Sequence, residues 1–445
     1  MNDNSHIQKG ELLFEGKTKK GWEVKGLPNL VIMESKPDIT AHDDPRLTKQ
    51  FGTKAQCATS TTCRMFELLK LAGIPTAFMH QLSENEFLAE RAKMIPLEVV
   101  ARRLAGGSFT KRHPEMVRPD NEPYRFSRLY TEFFLKTSGG KLIIDGETVI
   151  EGLDPQKGQE DPLIANPRTD VWQLLHAKRP LGHPECDLGC TIPRNKVDKD
   201  HSLIQPMNEV LRKVFLALEG AWNTLGLRLV DIKIEFGNTA DGELVVADVI
   251  DNDSWRLRDQ DWTELSKQRF RDGDELSAVE EIYQLVARLT ERIRIPRQAI
   301  VLWRGSKKDN FPETPGLPAS INRIEVTFSG HKQPIACLRR LEELQRDFPD
   351  SGVILAIAGR SNGLGPMLAA HTTWPVISVP PGVKEFPEDV WSSVHMPSEI
   401  PNATILEGSN AVLFAFNVLS SKNPVAYMMR RFAIEERMAN SASAY

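Results

Sequence analysis

LVDIKIEFGNTADGELVVADVIDNDSWR, residues 229–256, decides how the first half of the chain folds. Asp241-Gly242 is a strong two-residue hairpin signal, because a type I′ turn needs positive φ at both central positions. A turn centred there sets a register in which Ala240 faces Glu243, Glu235 faces Asp248, Lys233 faces Ile250 and Asp231 faces Asn252. The last three pairs share one face. Ile232, Ile234, Phe236, Val245, Ala247 and Val249 share the other, so the two-residue period independently supports the same pairing. Directly opposed side chains have Cβ atoms about 5 Å apart, and like charges at that spacing destabilise a sheet unless something neutralises them. Glu235 and Asp248 therefore require a counter-charge. Hard carboxylate oxygens without His or thiolate suit Mg²⁺, which takes one or two carboxylates and completes its shell with water and phosphate oxygens. An exposed acidic edge answered by Lys233 is the other reading.

With 445 residues, the chain is long enough for two to three domains. Its apolar content of 40%, charged content of 26% and net charge of -4 give no reason to expect a nucleic-acid partner. No run is apolar enough to span a bilayer, and the polar start MNDNSHIQKGE has no signal-peptide core, so no membrane partner is expected. Five cysteines, an odd number in a long chain, suit a reducing compartment, and the expected location is cytoplasmic. Cys186, Cys190 and His183 lack the second ligand pair of a zinc site.

Upstream of the hairpin, residues 11–14 and 22–24 read as strands around EGKTKK (15–20). Gly16, Lys17, Thr18 and Lys19 can fold over a polyphosphate, as the glycine-rich hairpin of kinases does, or form a solvated basic turn. A Walker A loop is excluded, because Gly10 lies one residue too far upstream and the residues between read as strand. KPDITAHD (36–43) is a polar connection ending on Asp43, and residues 53–71 have helical spacing. Strands are expected at 76–81 and 86–94. In PLEVVARRLAGGSF (96–109) a strand carrying Arg102 and Arg103 runs into Gly106-Gly107-Ser108. Arginine with Gly-Ser amides suits a phosphate or carboxylate; a salt-bridged strand end is the alternative. Residues 113–200 offer one strand at 130–135 and a short helix at 171–178. An amphipathic helix at 202–225 should pack behind the hairpin. Asp251, Asn252, Asp253, Ser254 and Arg256 cluster past it, before KQRFRD (267–272).

A charged amphipathic helix at 274–294 reads as a linker. Beyond it, strands at 299–303, 323–328, 352–358 and 376–379 alternate with helices after His331, after Gly363 and at 410–419, which marks a parallel α/β sheet. AGRSNGLGP (358–366) follows the most apolar strand, and its glycines allow backbone to approach a ligand. Its spacing is not G-x-G-x-x-G, so a dinucleotide is not indicated, and a structural turn remains the other reading.

The first 270 or so residues resemble SAICAR synthetase, through EGKTK, RRLAGGSF, VDIKIEFG, ADVIDNDSWR and KQRFRD. The remainder resembles class II AIR carboxylase, through Gly305-Ser306, HKQP at His331, AGRSNGLGP and WPVISVPP. The resemblance implies an α/β and α+β chain: a kinase-like, ATP-grasp-like synthetase domain (1–273), a helical linker (274–295) and a three-layer α/β/α, flavodoxin-like carboxylase domain (296–445). It implies that the first domain joins CAIR to L-aspartate with ATP and Mg²⁺, through an acyl phosphate, to give SAICAR, ADP and phosphate. By the same resemblance Glu235 and Asp248 hold the metal, Gly16, Lys17, Thr18 and Lys19 the ATP, and Arg102, Ser108 and Arg256 the CAIR. Asp43, Lys233, Asp251 and Ser254 are further substrate contacts. The second domain would carboxylate AIR with CO2, without ATP or biotin. His331 would move the proton, since imidazole titrates near neutrality, with Lys332 and Ser361 beside it. Gly359, Asn362 and Gly363, together with Gly305, Ser306 and Asp309, would bind the substrate. The family assembles through its carboxylase domains into homo-octamers. This chain departs from the family pattern at one place: GSKKDNFPETPGLPASIN replaces the family's GS-x-SD loop and helix, and Pro312, Pro315 and Pro318 oppose a regular helix there. A chain in which the synthetase works and the carboxylase-like domain serves only oligomerisation is the alternative.

Overall fold

The computed structural model describes residues 7–40, 48–118, 122–314, 316–359 and 361–442, so Asp43 lies outside the described residues. The chain forms two compact units: residues 1–293 together with 434–445, and residues 294–433.

The first unit is built on two sheets. Strands β1 (Lys9–Glu15), β2 (Lys19–Val24), β3 (Leu30–Ser35), β4 (Phe78–Gln81) and β5 (Glu86–Glu90) form one, in the order β1-β2-β3-β5-β4 and antiparallel throughout. Helix α1 (Lys54–Leu71) buries Met65, Phe66, Leu68 and Leu69. It stops where Gly73 takes a positive φ of 71° and its N–H caps the Lys70 carbonyl. The second sheet follows directly. Its strands are β6 (Lys93–Leu104), β7 (Arg125–Leu135), β8 (Leu163–Ile164), β9 (Val171–Leu175), β10 (Asp187–Pro193), β11 (Arg228–Asn238) and β12 (Leu244–Ala247), ordered β10-β9-β8-β7-β6-β11-β12; β13 (Trp255–Arg258) also pairs with β11. A short helix, α2 (Ser108–Arg112), follows β6, and the long α3 (Ile204–Thr224) packs behind β11 with Leu211, Phe215, Leu218 and Trp222 fully buried.

Three expectations are corrected here. Residues 171–178 hold strand β9, not a helix: exposure alternates along it, with Trp172 and Leu174 buried and Val171 and Gln173 exposed, which is the period of a strand. The hairpin register is one residue away from the expected one. Asn238 pairs with Leu244 and Glu235 with Ala247, around a five-residue loop in which Thr239 N–H donates to the Glu243 carbonyl at 3.0 Å. Gly242 alone in that loop has positive φ, whereas a type I′ turn requires two such residues. Further along, Asp248 takes a φ of 67° and ends the ladder. The chain leaves the sheet and returns as β13, so Asp231 faces Arg256 rather than Asn252, and Lys233 N–H bonds the Ser254 carbonyl at 2.8 Å. Finally, the helix expected at 274–294 is present as α4 (Leu276–Thr290), but it packs rather than merely links: its Val279 and Tyr283 share a core with Ile39, Phe51 and Cys57.

In the second unit, β14 (Gln298–Arg304), β15 (Ile321–Thr327), β16 (Gly352–Ile357), β17 (Val376–Val379) and β18 (Ala403–Thr404) form an all-parallel sheet in the order β15-β14-β16-β17-β18. Helices α5 (Pro334–Asp347) and α6 (Leu364–Ala369) share one core with it, and α7 (Gly408–Ser420) the other, giving three layers of flavodoxin-like strand order. A last helix, α8 (Pro424–Ala442), begins in this unit, and its residues from Ile434 onward belong to the first. Among the described residues no helix is long and apolar enough to cross a membrane.

Candidate active sites

Asp231, Lys233 and Glu235 alternate along β11 and share a face, and two cavities divide them. Glu235 lines a cavity of about 390 Å³ whose walls are Val31, Met33, Phe66, Phe78, Phe87 and Ala89. Its other end is charged, with Lys19, Lys136, Glu235 and Asp248. An apolar slot with a charged end suits a nucleotide, base inside and phosphates toward the charges. Residues 90–92, which join the two sheets, complete the wall. Gly237 lets that connection lie close: a Cβ there would stand 2.8 Å from Ala92 Cβ and 3.2 Å from the Lys93 carbonyl.

Each carboxylate at the charged end already has a lysine. Both Glu235 oxygens accept from Lys136 Nζ at 2.5 Å, and Asp248 pairs with Lys19. Burial pushes Glu235 up, but Lys136, Lys233 and Lys19 outweigh it and hold the carboxyl below its ordinary value. Burial drives the Lys19 ammonium down to about 8, against the pull of Glu235. The one-residue register change thus does not separate the two acids; the positive φ of Asp248 leaves it on the same cavity as Glu235. Of the four residues expected on the nucleotide, Lys19 lines the cavity. Gly16 N–H closes the turn onto the Lys19 carbonyl at 2.8 Å, and Lys36 N–H holds the Thr18 carbonyl at 2.7 Å, with Lys17 between them.

The second cavity, of about 360 Å³, is lined by Arg102, Ser108, Lys233, Ser254 and Arg256. Asp231 is the hub that assembles them. Buried beneath the cavity, it pairs with Arg102 and accepts from Arg256 Nη1 at 2.6 Å, while Arg102 Nη2 reaches Ser108 Oγ at 3.3 Å. Gly107, at a φ of 59°, is required twice over, because a Cβ there would overlap the Arg256 guanidinium. Lys233 Nζ bonds Glu98 at 2.6 Å. Asp161 faces the same cavity, its carboxylate taking the Thr137 N–H at 2.8 Å. Burial and then Glu98 push it up to about 6.

Asp251 has a different position from the expected one. It is buried off the cavity, its carboxylate accepting Asp253 N–H at 2.8 Å and lying 4.0 Å from Lys54 Nζ. It shapes the 251–254 turn, and burial, then Asp253, raises its carboxyl. Asp253 and Lys267, paired at 3.0 Å, line the cavity instead.

In the second unit every expected residue lies at the carboxyl end of a parallel strand, where open α/β sheets bind ligands. Gly305, Ser306 and Asp309 follow β14, His331 and Lys332 follow β15, and Gly359, Ser361, Asn362 and Gly363 follow β16. His331 lies directly on Gly363, where a Cβ would overlap the imidazole. Ser361 and Lys332 are exposed beside these loops. Asn362 ties the loop to the sheet. Its amide donates to Ser378 Oγ at 2.6 Å and Ser393 Oγ at 3.2 Å and accepts from Gly365 N–H at 2.9 Å. Ser306 Oγ accepts Lys308 N–H at 3.2 Å, and burial raises the Asp309 carboxyl. Among the described residues between β14 and β15 there is no helix.

Comparison with known proteins gives the same two parts. The SAICAR synthetase family model matches residues 12–152 and 192–289, and the AIR carboxylase model matches residues 320–439. A Caenorhabditis elegans relative, "Probable multifunctional protein ADE2", is 36% identical over 94% of this chain and 92% of its own length. The chain belongs to the bifunctional SAICAR synthetase–AIR carboxylase family. The Homo sapiens "Bifunctional phosphoribosylaminoimidazole carboxylase/phosphoribosylaminoimidazole succinocarboxamide synthetase" is 34% identical over 96% of this chain and 93% of its own. A Chloroflexus aurantiacus phosphoribosylaminoimidazole-succinocarboxamide synthase is 37% identical, spanning 64% of this chain and 98% of its own length. The two compact units are thus a synthetase unit and a carboxylase unit.

The donor set of the synthetase unit fits a hard cation only with help. Among the described residues no group of three or more His, Cys, Asp and Glu could hold a metal. Two carboxylates can hold Mg²⁺ when phosphate and water complete the shell. Lys136 and Glu98 line the two cavities without being singled out by the sequence, whereas Asp253 and Lys267 belong to the polar cluster and the KQRFRD segment that it shows. Lys136 has a visible signal, two residues beyond Phe134 on the same strand period, but a strand expected at 130–135 stops one residue short of it.

Proposed function

We propose that this chain catalyses two consecutive steps of purine synthesis. The carboxylase unit joins CO2 to AIR without ATP or biotin, and the synthetase unit ligates the resulting CAIR to L-aspartate with ATP and Mg²⁺, giving SAICAR, ADP and phosphate. A carboxylate is a poor electrophile. Transfer of the γ-phosphoryl group to the CAIR carboxylate makes an acyl phosphate, the aspartate amine attacks its carbonyl, and the C–O bond to phosphate breaks. The observation that carries the reading is β11, whose alternate residues supply Glu235 to a nucleotide-shaped cavity and Asp231 and Lys233 to a cationic one.

Lys19 and Lys136 stand where phosphates would lie, and Arg102, Ser108 and Arg256 hold CAIR. Glu235 and Asp248 would hold Mg²⁺, which neutralises charge on the transferring phosphoryl group when bound. In the carboxylase unit His331 moves the ring proton, and Gly359, Ser361, Asn362 and Gly363 surround the incoming carboxylate. We also place the protein in the cytoplasm as a homo-oligomer, an octamer through its carboxylase units. Its five free cysteines and the exposed Ile335, Trp391 and Phe414 fit that setting.

The deciding experiment gives the purified chain ATP, Mg²⁺ and L-aspartate, with CAIR in one arm and AIR plus bicarbonate in the other, corrected for uncatalysed CAIR formation. SAICAR in both arms is expected. SAICAR from CAIR alone would reduce the carboxylase unit to a scaffold, the outcome that the proline-rich sequence of residues 305–318 would then explain.

A further inference from the structure

β7 does not run straight alongside β6. Arg102 pairs with Tyr130, but Leu104 pairs with Arg125, so two residues of β6 are matched by five of β7. Such a bulge strands backbone groups that need partners from elsewhere. Arg103 and Glu435 supply them. Arg103 Nη1 donates to the Phe126 and Ser127 carbonyls at 3.2 and 3.4 Å, and Leu129 N–H donates to Glu435 Oε2 at 3.1 Å. The two side chains are joined through Arg103 Nη2 and Glu435 Oε1 at 2.9 Å, and Glu219 holds the rest of the guanidinium at 2.7 and 3.0 Å. Glu435 is 0% exposed and Arg103 1%, so neither can exchange its partner for water.

This plug lies behind the substrate cavity. Arg103 follows Arg102 on β6, and consecutive strand residues point to opposite faces, so Arg102 faces the cavity while Arg103 faces the plug. The bulge also carries Phe126, edge-on to Phe109 at 5.3 Å and stacked on Tyr130 at 5.3 Å. Phe109 is the residue after Ser108. From Glu435, one layer of packed groups therefore leads to both Arg102 and Ser108.

We propose that Glu435, a residue from the far end of the sequence, is a positioning residue for the CAIR cavity of the synthetase unit. It fixes the bulge that sets Arg102 and Ser108. The proposal rests on the reading that those two residues bind CAIR.

The test compares the full-length wild type with Glu435→Ala and Glu435→Gln, the latter keeping an acceptor for Leu129 N–H. KM for CAIR, KM for ATP, kcat and amide hydrogen exchange over residues 125–130 are measured. Glu435→Ala should raise KM for CAIR by about fivefold, the order expected for coupling through one intervening layer, with KM for ATP and kcat within about twofold. Exchange at Leu129 should accelerate, and Glu435→Gln should lie between. An unchanged KM for CAIR in an active chain overturns the proposal, as does an equal rise in KM for ATP, which a general loss of structure would produce. If the alanine variant does not fold, the glutamine variant decides by the same criteria. If the wild type makes no SAICAR from CAIR, the functional reading has failed, and Leu129 exchange in Glu435→Ala, which removes the acceptor, judges the plug alone: exchange as slow as in the wild type overturns it.

Discussion

Asp248 combines an acidic side chain with a backbone φ of 67°, a conformation that Asn and Asp tolerate better than other L residues. Asp248→Asn therefore removes the charge and keeps the turn. We expect SAICAR formation to fall by about a hundredfold or more, as loss of a metal-bound charge from a phosphoryl-transfer site implies, while the melting temperature is maintained. An unchanged rate at saturating Mg²⁺ would remove Asp248 from the metal site. Asp161 is informative in a different way. Burial, then Glu98, raises its carboxyl from 3.8 to about 6, so between those values the folded chain keeps a proton that the unfolded chain has released. Stability from this group is thus complete below about pH 4 and lost as pH rises through about 6. Asp161→Asn keeps the oxygen that accepts Thr137 N–H and cannot titrate. The melting temperature of wild type relative to this variant should fall between pH 4 and 7, and a constant difference across that range would refute the assignment.

At the level of elements, Gly237 is the point where β11 meets the connection between the two sheets. Gly237→Ala would put a methyl 2.8 Å from Ala92 Cβ, with the Lys93 carbonyl backbone unable to yield. We expect a loss of about 1–3 kcal/mol in urea unfolding, the usual cost of overpacking, together with a raised KM for ATP because residues 90–92 line the cavity proposed for the nucleotide. A stable variant with unchanged KM would show that the connection moves freely. The same strand illustrates what the sequence makes legible. The alternation of Ile232, Ile234 and Phe236 against Asp231, Lys233 and Glu235 reveals β11 and its polar face, because a period of two is a local property. The register of the hairpin is not local: a five-residue loop replaces the two-residue turn suggested by Asp-Gly, and the excursion of 248–254 out of the sheet leaves no periodic trace. Arg102, Ser108 and Arg256 can be found from their types, but the reason they converge is Asp231, whose partners lie 129 and 25 residues away. The parallel strands of the carboxylase unit are easier to see, since each is a short apolar run, wholly buried in the case of Gly352–Ile357. The role of Glu435 is invisible in the sequence, because nothing in a C-terminal helix announces a bulge in a strand some three hundred residues earlier.

For the whole molecule, the two candidate sites lie in separate compact units, each built from its own sheets. His331 follows a parallel strand of one, and Asp248 ends an antiparallel ladder of the other. Substitutions at sites with no shared partners act independently. His331→Ala should therefore abolish AIR carboxylation and leave ligation of supplied CAIR within about twofold, and Asp248→Asn should do the reverse. An equimolar mixture of the two variants tests the independence directly. Each chain then keeps one working site, and CAIR made by one must reach the other. SAICAR from AIR, bicarbonate, ATP and L-aspartate should reappear at about half the wild-type rate per chain, because each site is present on half of the chains. A mixture no faster than uncatalysed CAIR formation permits would mean that a carboxylase unit serves only the synthetase unit of its own chain. Loss of ligation in His331→Ala itself would mean that His331 holds the fold rather than a proton, and Gly363→Ala, which displaces the same imidazole, should then give the same double loss.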